Sequence, residues 1–198
     1  RCGRTAGPVD AVRLLPGYMT MAGSLSVADQ LAIREVIARY AWALDTGDVE
    51  GFVACFCRDG VLLWDAFEEP QRWEGYAALR HFATFFRDQP TSAGRQHHAT
   101  NTVVTAREGG ARSRSYAAVA LRQGDGPHLL HVMGYYEDLF RVEDGEWRLA
   151  ERVIRDWSGP ILGAFAGQTG ERVARPMPPV LAGAVFTPDG AQSLPGSK

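Results

Sequence analysis

The sequence predicts an α+β fold in which one curved, mixed or antiparallel β-sheet wraps over three N-terminal helices, a half-open cone carrying an extended C-terminal arm. Two observations predict it. Apolar residues recur at helical spacing in the first half of the chain, and four long strand-like stretches, punctuated by Gly and Asp, follow one another in the second. Strands of that length have to bend to fold around helices, and their Gly and polar interruptions are where bulges are expected.

Ser26 and Asp29 have the spacing of a capping box, with Asp in place of Glu. Leu31, Ile33, Val36, Ile37, Tyr40 and Leu44 then recur at helical intervals, so a first helix is expected near 27–45, stopped by Gly47. Asp48 can cap a second, short helix through Val49, Phe52, Val53 and Phe56, ending near Arg58. Gly60 turns the chain into an apolar strand at 61–66. A third helix follows Gly75, with Leu79, Phe82, Phe85 and Phe86 apolar, and ends at the Pro90, Ser92, Gly94 loop. Strands are expected at 95–107, 111–123, 128–142 and 146–157, with Gly109-Gly110, Gly124-Asp125-Gly126 and Asp144-Gly145 as the hairpin turns.

With 198 residues, 45% of them apolar, the chain is long enough to bury one core without metals or disulfides. The expected organisation is an N-terminal extension over 1–24, the cone domain over 25–158, and a Pro- and Gly-rich arm over 159–198. Ile161, Leu162, Phe165, Val180, Leu181, Val185 and Phe186 make that arm too apolar for a free linker, which implies a surface for it on the domain or on a neighbouring subunit, in a homodimer or homotrimer. A formal net charge of −2 and no cluster of Lys and Arg give no reason to expect a nucleic-acid partner. No apolar run approaches the roughly 20 residues that cross a bilayer, and the first residues lack a signal-peptide pattern, so no membrane partner and a cytoplasmic location are expected. Cys2, Cys55 and Cys57 form no C-x-x-C and read as idle thiols.

The run Tyr40-Ala-Trp-Ala-Leu-Asp45-Thr-Gly-Asp48, then Gln96-His97-His98-Ala-Thr-Asn101, Arg114-Ser-Tyr116, Gly134-Tyr-Tyr136-Glu-Asp, and Asp144-Gly-Glu-Trp147-Arg-Leu-Ala-Glu with Trp157, stand in the order and at the intervals of SnoaL-like proteins of the nuclear transport factor 2-like superfamily. The resemblance covers about 27–158. It implies the cone fold and says much less about the reaction, because this fold hosts many. The nearest functional analogies are scytalone dehydratases, bile-acid dehydratases and hexachlorocyclohexane dehydrochlorinase. Those enzymes are similar to this chain in pairing an aspartate at the end of helix one with a histidine near the start of a central strand, which fall here on Asp45 and His97. A pocket tyrosine of the bile-acid enzymes falls on Tyr40, and the dehydrochlorinase shares the His-x-x-Thr-Asn spacing of His97, Thr100 and Asn101. The second histidine of the scytalone enzymes falls near Arg122, a departure that argues against the same dehydration of the same substrate. The Arg/Asp/Asp set of limonene epoxide hydrolase is missing.

An imidazole titrates near neutrality and can take or return a proton without large tuning. A carboxylate on one ring nitrogen fixes the tautomer, leaves the other nitrogen as base and stabilises the imidazolium. The resemblance therefore implies His97 as base and Asp45 as its orienter. His98 points to the opposite face of a strand, so only one of the two enters a pocket, and a shift of register exchanges them. Asn101, of the same parity as His97, is expected to hold a substrate carbonyl or hydroxyl. Tyr40, Trp64, Tyr116 and Tyr136 are expected around the cavity, since each combines apolar area with one hydrogen-bond donor. No metal-ligand spacing, G-x-G-x-x-G or P-loop is present, so no cofactor is expected. The leading expectation is a cofactor-independent lyase or isomerase, of dehydratase, dehydrohalogenase or cyclase type, acting on a small apolar, aromatic, polyketide- or terpenoid-like substrate. Epoxide opening is the enzymatic alternative, and a non-catalytic binding or structural module the other.

Overall fold

In the computed structural model, residues 24–122 and 125–156 are described; nearly all of the expected extension, the whole C-terminal arm and Trp157 lie outside them. The first half carries the helices. Helix α1 (Val27–Thr46) starts at the expected capping box, where Asp29 N–H donates to Ser26 Oγ and Ser26 N–H donates back to the Asp29 carboxylate. The same carboxylate accepts from Trp147 Nε1, which ties the start of the helix to the last strand. Ile33, Val36, Ile37, Tyr40 and Leu44 form the buried face that the spacing predicts. Gly47 ends α1 in the left-handed conformation, φ 75°, where its missing Cβ also matters: one would come within 2.8 Å of Arg87 Cγ.

Helix α2 (Val49–Ala54) is capped by Asp48 as expected but is shorter than predicted. Phe56 belongs instead to strand β1 (Phe56–Trp64), which begins earlier than the expected strand. The reason is tertiary. Phe56 pairs with Leu149 in the last strand, and an irregularity then separates it from Val61, where regular pairing resumes. Strand β2 (Gln71–Glu74), which four residues of local sequence do not announce, pairs antiparallel with β1 and leads directly into helix α3 (Gly75–Asp88).

Strands β3 (Gln96–Arg107), β4 (Gly110–Arg122), β5 (His128–Glu143) and β6 (Glu146–Asp156) make the antiparallel meander read from the sequence. Asp144 and Gly145, both at positive φ, form the tight turn between β5 and β6. The sheet order is β2-β1-β6-β5-β4-β3, with the β1–β6 pair parallel and the others antiparallel. The six-stranded mixed sheet is not closed into a barrel, and α1 packs against β3 and β6 at its concave side. Phe52, Phe56, Leu79, Phe82, Trp73 and Leu149 fill the space between helices and sheet.

Candidate active site

Two adjoining structures define the site: the last turn of α1 and the first residues of β3. Asp45 lies two residues before the Gly47 cap, and His97 is the second residue of its strand. One carboxylate grips that residue twice. His97 Nδ1 is 2.5 Å from Asp45 Oδ1, and the His97 backbone N–H donates to Asp45 Oδ2 at 2.7 Å. A carboxylate only accepts, so Nδ1 carries the proton and Nε2 is left with its lone pair. Both side chains are largely enclosed, at 11% exposure for His97 and 15% for Asp45. Burial holds the imidazole below its ordinary pKa. Asp45 opposes that shift, but Arg95 and Arg152 add to it, so the ring is neutral at pH 7 and able to accept a proton.

Arg95 sits behind the carboxylate. Its Nη2 donates to Leu44 O at 3.0 Å and its Nη1 to Ser92 Oγ at 3.1 Å, while Nε lies 3.6 Å from Asp45 Oδ1. Its guanidinium also lies 4.9 Å from the centre of the Phe86 ring. Phe86 packs on Trp64, so the aromatic cluster Trp64, Phe67 and Phe86 reaches the pair through Arg95. On the outer side of Asp45 and Arg95 opens a cleft of about 230 Å³ between the ends of α1 and α3 and the loop before β3.

Deeper on the sheet is a second ionic pair. Arg152 Nε and Nη2 donate to Asp138 at 2.8 Å each, Ser113 Oγ donates to the same carboxylate, and both charged side chains are fully buried. Tyr40 and Tyr136 flank the guanidinium, their ring centres 4.0 and 4.2 Å from it. Burial pushes the Tyr40 hydroxyl up to about 12, and that of Tyr136 is raised for the same first reason. Neither phenol ionises near neutrality. Arg152 Nη1 and Ser115 Oγ are buried without a hydrogen-bond partner among the described residues.

Of the residues expected from the sequence, Asp45 and His97 meet, Tyr40 and Tyr136 meet around Arg152, and Trp64 joins through Phe86. Asn101 and Tyr116 do not join them, which corrects their expected placement. β3 carries an irregularity between Thr100 and Val103, Asn101 takes φ 52° there, and parity counted from His97 fails across it, leaving the Asn101 side chain exposed. Thr102 O in the irregular segment accepts from Arg34, which holds it against α1. In β4 the buried residues are Ala111, Ser113, Ser115 and Ala117, so Tyr116 stands on the outer face, 46% exposed, and Ser115 is the inward residue opposite Tyr136. His98 is exposed on the outer face of β3. Sequence reasoning missed Arg95, Arg152 and Asp138. A signal existed for the last: Asp138 shares strand parity with Tyr136 and Phe140, and a carboxylate on an apolar strand face asks for a buried cation.

The profile of the SnoaL-like domain family matches residues 26–153. No curated protein sequence matches the chain. Among solved structures, a protein of unknown function from Mycobacterium tuberculosis is similar at 28% identity, covering 66% of this chain and 72% of that one, with a TM-score of 0.58. A candidate aromatic ring hydroxylase from Novosphingobium aromaticivorans is similar at 28% identity over 69% of this chain and 93% of its own, TM-score 0.58. A candidate scytalone dehydratase from the same organism shares the fold at 24% identity, covering 76% and 94%, TM-score 0.55.

Proposed function

Because the chain belongs to the SnoaL-like domain family, we propose that it is a cofactor-independent lyase or isomerase in which His97 is the general base and Asp45 its orienting carboxylate. The observation that carries this reading is the double grip of Asp45 on His97. The grip directs the unprotonated Nε2 away from the carboxylate, and burial keeps it neutral. In the proposed step Nε2 takes a proton from a carbon next to an activating group. The electron pair of that C–H bond becomes a double bond, and either a leaving group departs or a carbonyl oxygen takes the charge. The imidazolium, stabilised by Asp45, then returns the proton to the leaving group or to another carbon. Removal of a proton suits a pair made of a neutral base and a fixed carboxylate. Trp64 and Tyr136 supply apolar area on that side of the sheet, which suits a compact, largely apolar substrate.

The test is C–H exchange in D₂O, followed by NMR across a panel of small cyclic and aromatic ketones and halides. Exchange or elimination by the wild-type protein is expected to fall by up to about 10⁴-fold in His97→Gln, with the fold intact by circular dichroism. Equal rates in the two proteins would refute the assignment.

A further inference from the structure

Arg95 is a costly residue to place where it is. Its side chain is only 7% exposed, and its Nε has no hydrogen-bond partner among the described residues although Asp45 Oδ1 is 3.6 Å away. The rest of the guanidinium is not adjustable. Nη2 is committed to Leu44 O in the last turn of α1, Nη1 to Ser92 Oγ in the loop before β3, and the plane lies near the Phe86 ring. The cation is thus anchored to the two segments that carry Asp45 and His97, and it stands beside the oxygen that receives His97 Nδ1–H.

We propose that Arg95 is a positioning residue of the Asp45–His97 pair: it holds the α1 terminus and the β3 entrance in register and places a fixed positive charge behind the orienting carboxylate. The proposal rests on the reading of His97 as base, but its consequence can be measured without a substrate. The charged and titratable groups that face the ring are Asp45 from α1, Arg95 from the loop before β3, and Arg152 from β6. Arg152 is itself bonded to Asp138 and flanked by Tyr40 and Tyr136. Arg95 and Arg152 both oppose a positive charge on the imidazole, and Asp45 favours it. Arg152 is locked by a bidentate partner of opposite charge. Arg95, bonded only to neutral oxygens, exerts its field without a comparable counter-ion except Asp45 itself.

The experiment is an NMR titration of ¹⁵N-histidine-labelled full-length protein, with the His97 signal identified by its loss in His97→Gln. In Arg95→Met, which removes the charge at similar volume, the His97 midpoint is expected to move to higher pH. In Arg95→Lys, which keeps the charge, it is expected to stay near the wild-type midpoint. Arg95→Gln, a second neutral variant, is titrated alongside and carries the test alone if the Met variant does not fold. An unchanged midpoint in both neutral variants overturns the proposal, and so does a Lys variant that shifts as far as they do, because a purely structural arginine would behave in one of those two ways. Full activity of His97→Gln would sink the catalytic reading while leaving this titration result standing. An inactive His97→Gln with unmoved Arg95 titrations would sink only the role of Arg95.

Discussion

Asp45–His97 and Asp138–Arg152 are both carboxylate pairs that tie one element to another, yet they are built for opposite purposes. The second is sealed: two neighbouring strands of the sheet, both side chains at zero exposure, two parallel N–H to oxygen bonds, and a guanidinium whose charge burial opposes and Asp138 favours. Arg152 stays charged at any physiological pH. The first joins a helix end to a strand start and retains slight exposure. Its basic partner is the one side chain type whose charge changes near neutrality. A fixed charge organises the interior, and a titratable one beside it can do chemistry.

The difference is open to experiment. Replacing Arg152 by Met should produce the largest stability effect, because it strands Asp138 in the core with only Ser113 as donor. A loss of about 3–5 kcal/mol in urea unfolding is expected, with much of it recovered when Asp138 is also made Leu. His97→Gln should be far milder in the same assay, its cost falling on turnover instead. Comparable destabilisation by the two substitutions would erase the distinction.

A smaller effect should appear in the pH dependence of stability. The folded-state pKa of His97 lies below the ordinary 6.5, so as pH falls the unfolded chain binds a proton there before the folded one does. The stability contributed by the neutral ring is complete above about pH 6.5. It is lost as pH falls toward the folded-state value. Unfolding curves across that window should slope more steeply for the wild type than for His97→Gln, and parallel curves would count against the depressed value. The smallest effect is expected for Tyr116→Ser and Asn101→Ser. Both side chains sit on the outer face, so activity should be unchanged, with a stability cost of about 1 kcal/mol at most from the φ 52° position of Asn101 and the half-buried Tyr116 ring. A large loss of activity in either would place the substrate on a different surface.

The thiols mark a quieter contrast. Cys55 and Cys57 are buried, and burial pushes both up to about 11, so neither competes with His97 as a nucleophile or base near neutrality. Their reading as idle residues follows from spacing alone, since no second cysteine stands where a redox motif requires it.

Much of the architecture was legible because it is local. The capping box at Ser26 and Asp29, the stop at Gly47, the cap at Asp48 and the Asp144-Gly145 turn each depend on a few adjacent residues, and each appears where the spacing places it. The β1 boundary and strand β2 were not legible, since Phe56 is drawn into the sheet by Leu149 and Gln71–Glu74 by β1. The family resemblance supplied His97, but period-two counting outward from it failed at Asn101, where one irregular step in β3 exchanges the faces. Tyr116 drew notice as an aromatic, while the inward neighbour Ser115 carries no such signal.

What the sequence determined by itself is therefore the order and type of the elements other than β2, and the presence of an aspartate and a histidine suited to proton transfer. The tertiary structure alone decided that these two meet, that Arg95 stands behind them and that Arg152 and Asp138 close on each other beneath Tyr40 and Tyr136. The physical reason is range. Caps and turns are set by hydrogen bonds within three or four residues, whereas the pKa of a buried ring is set by every charge around it, however far along the chain those charges lie.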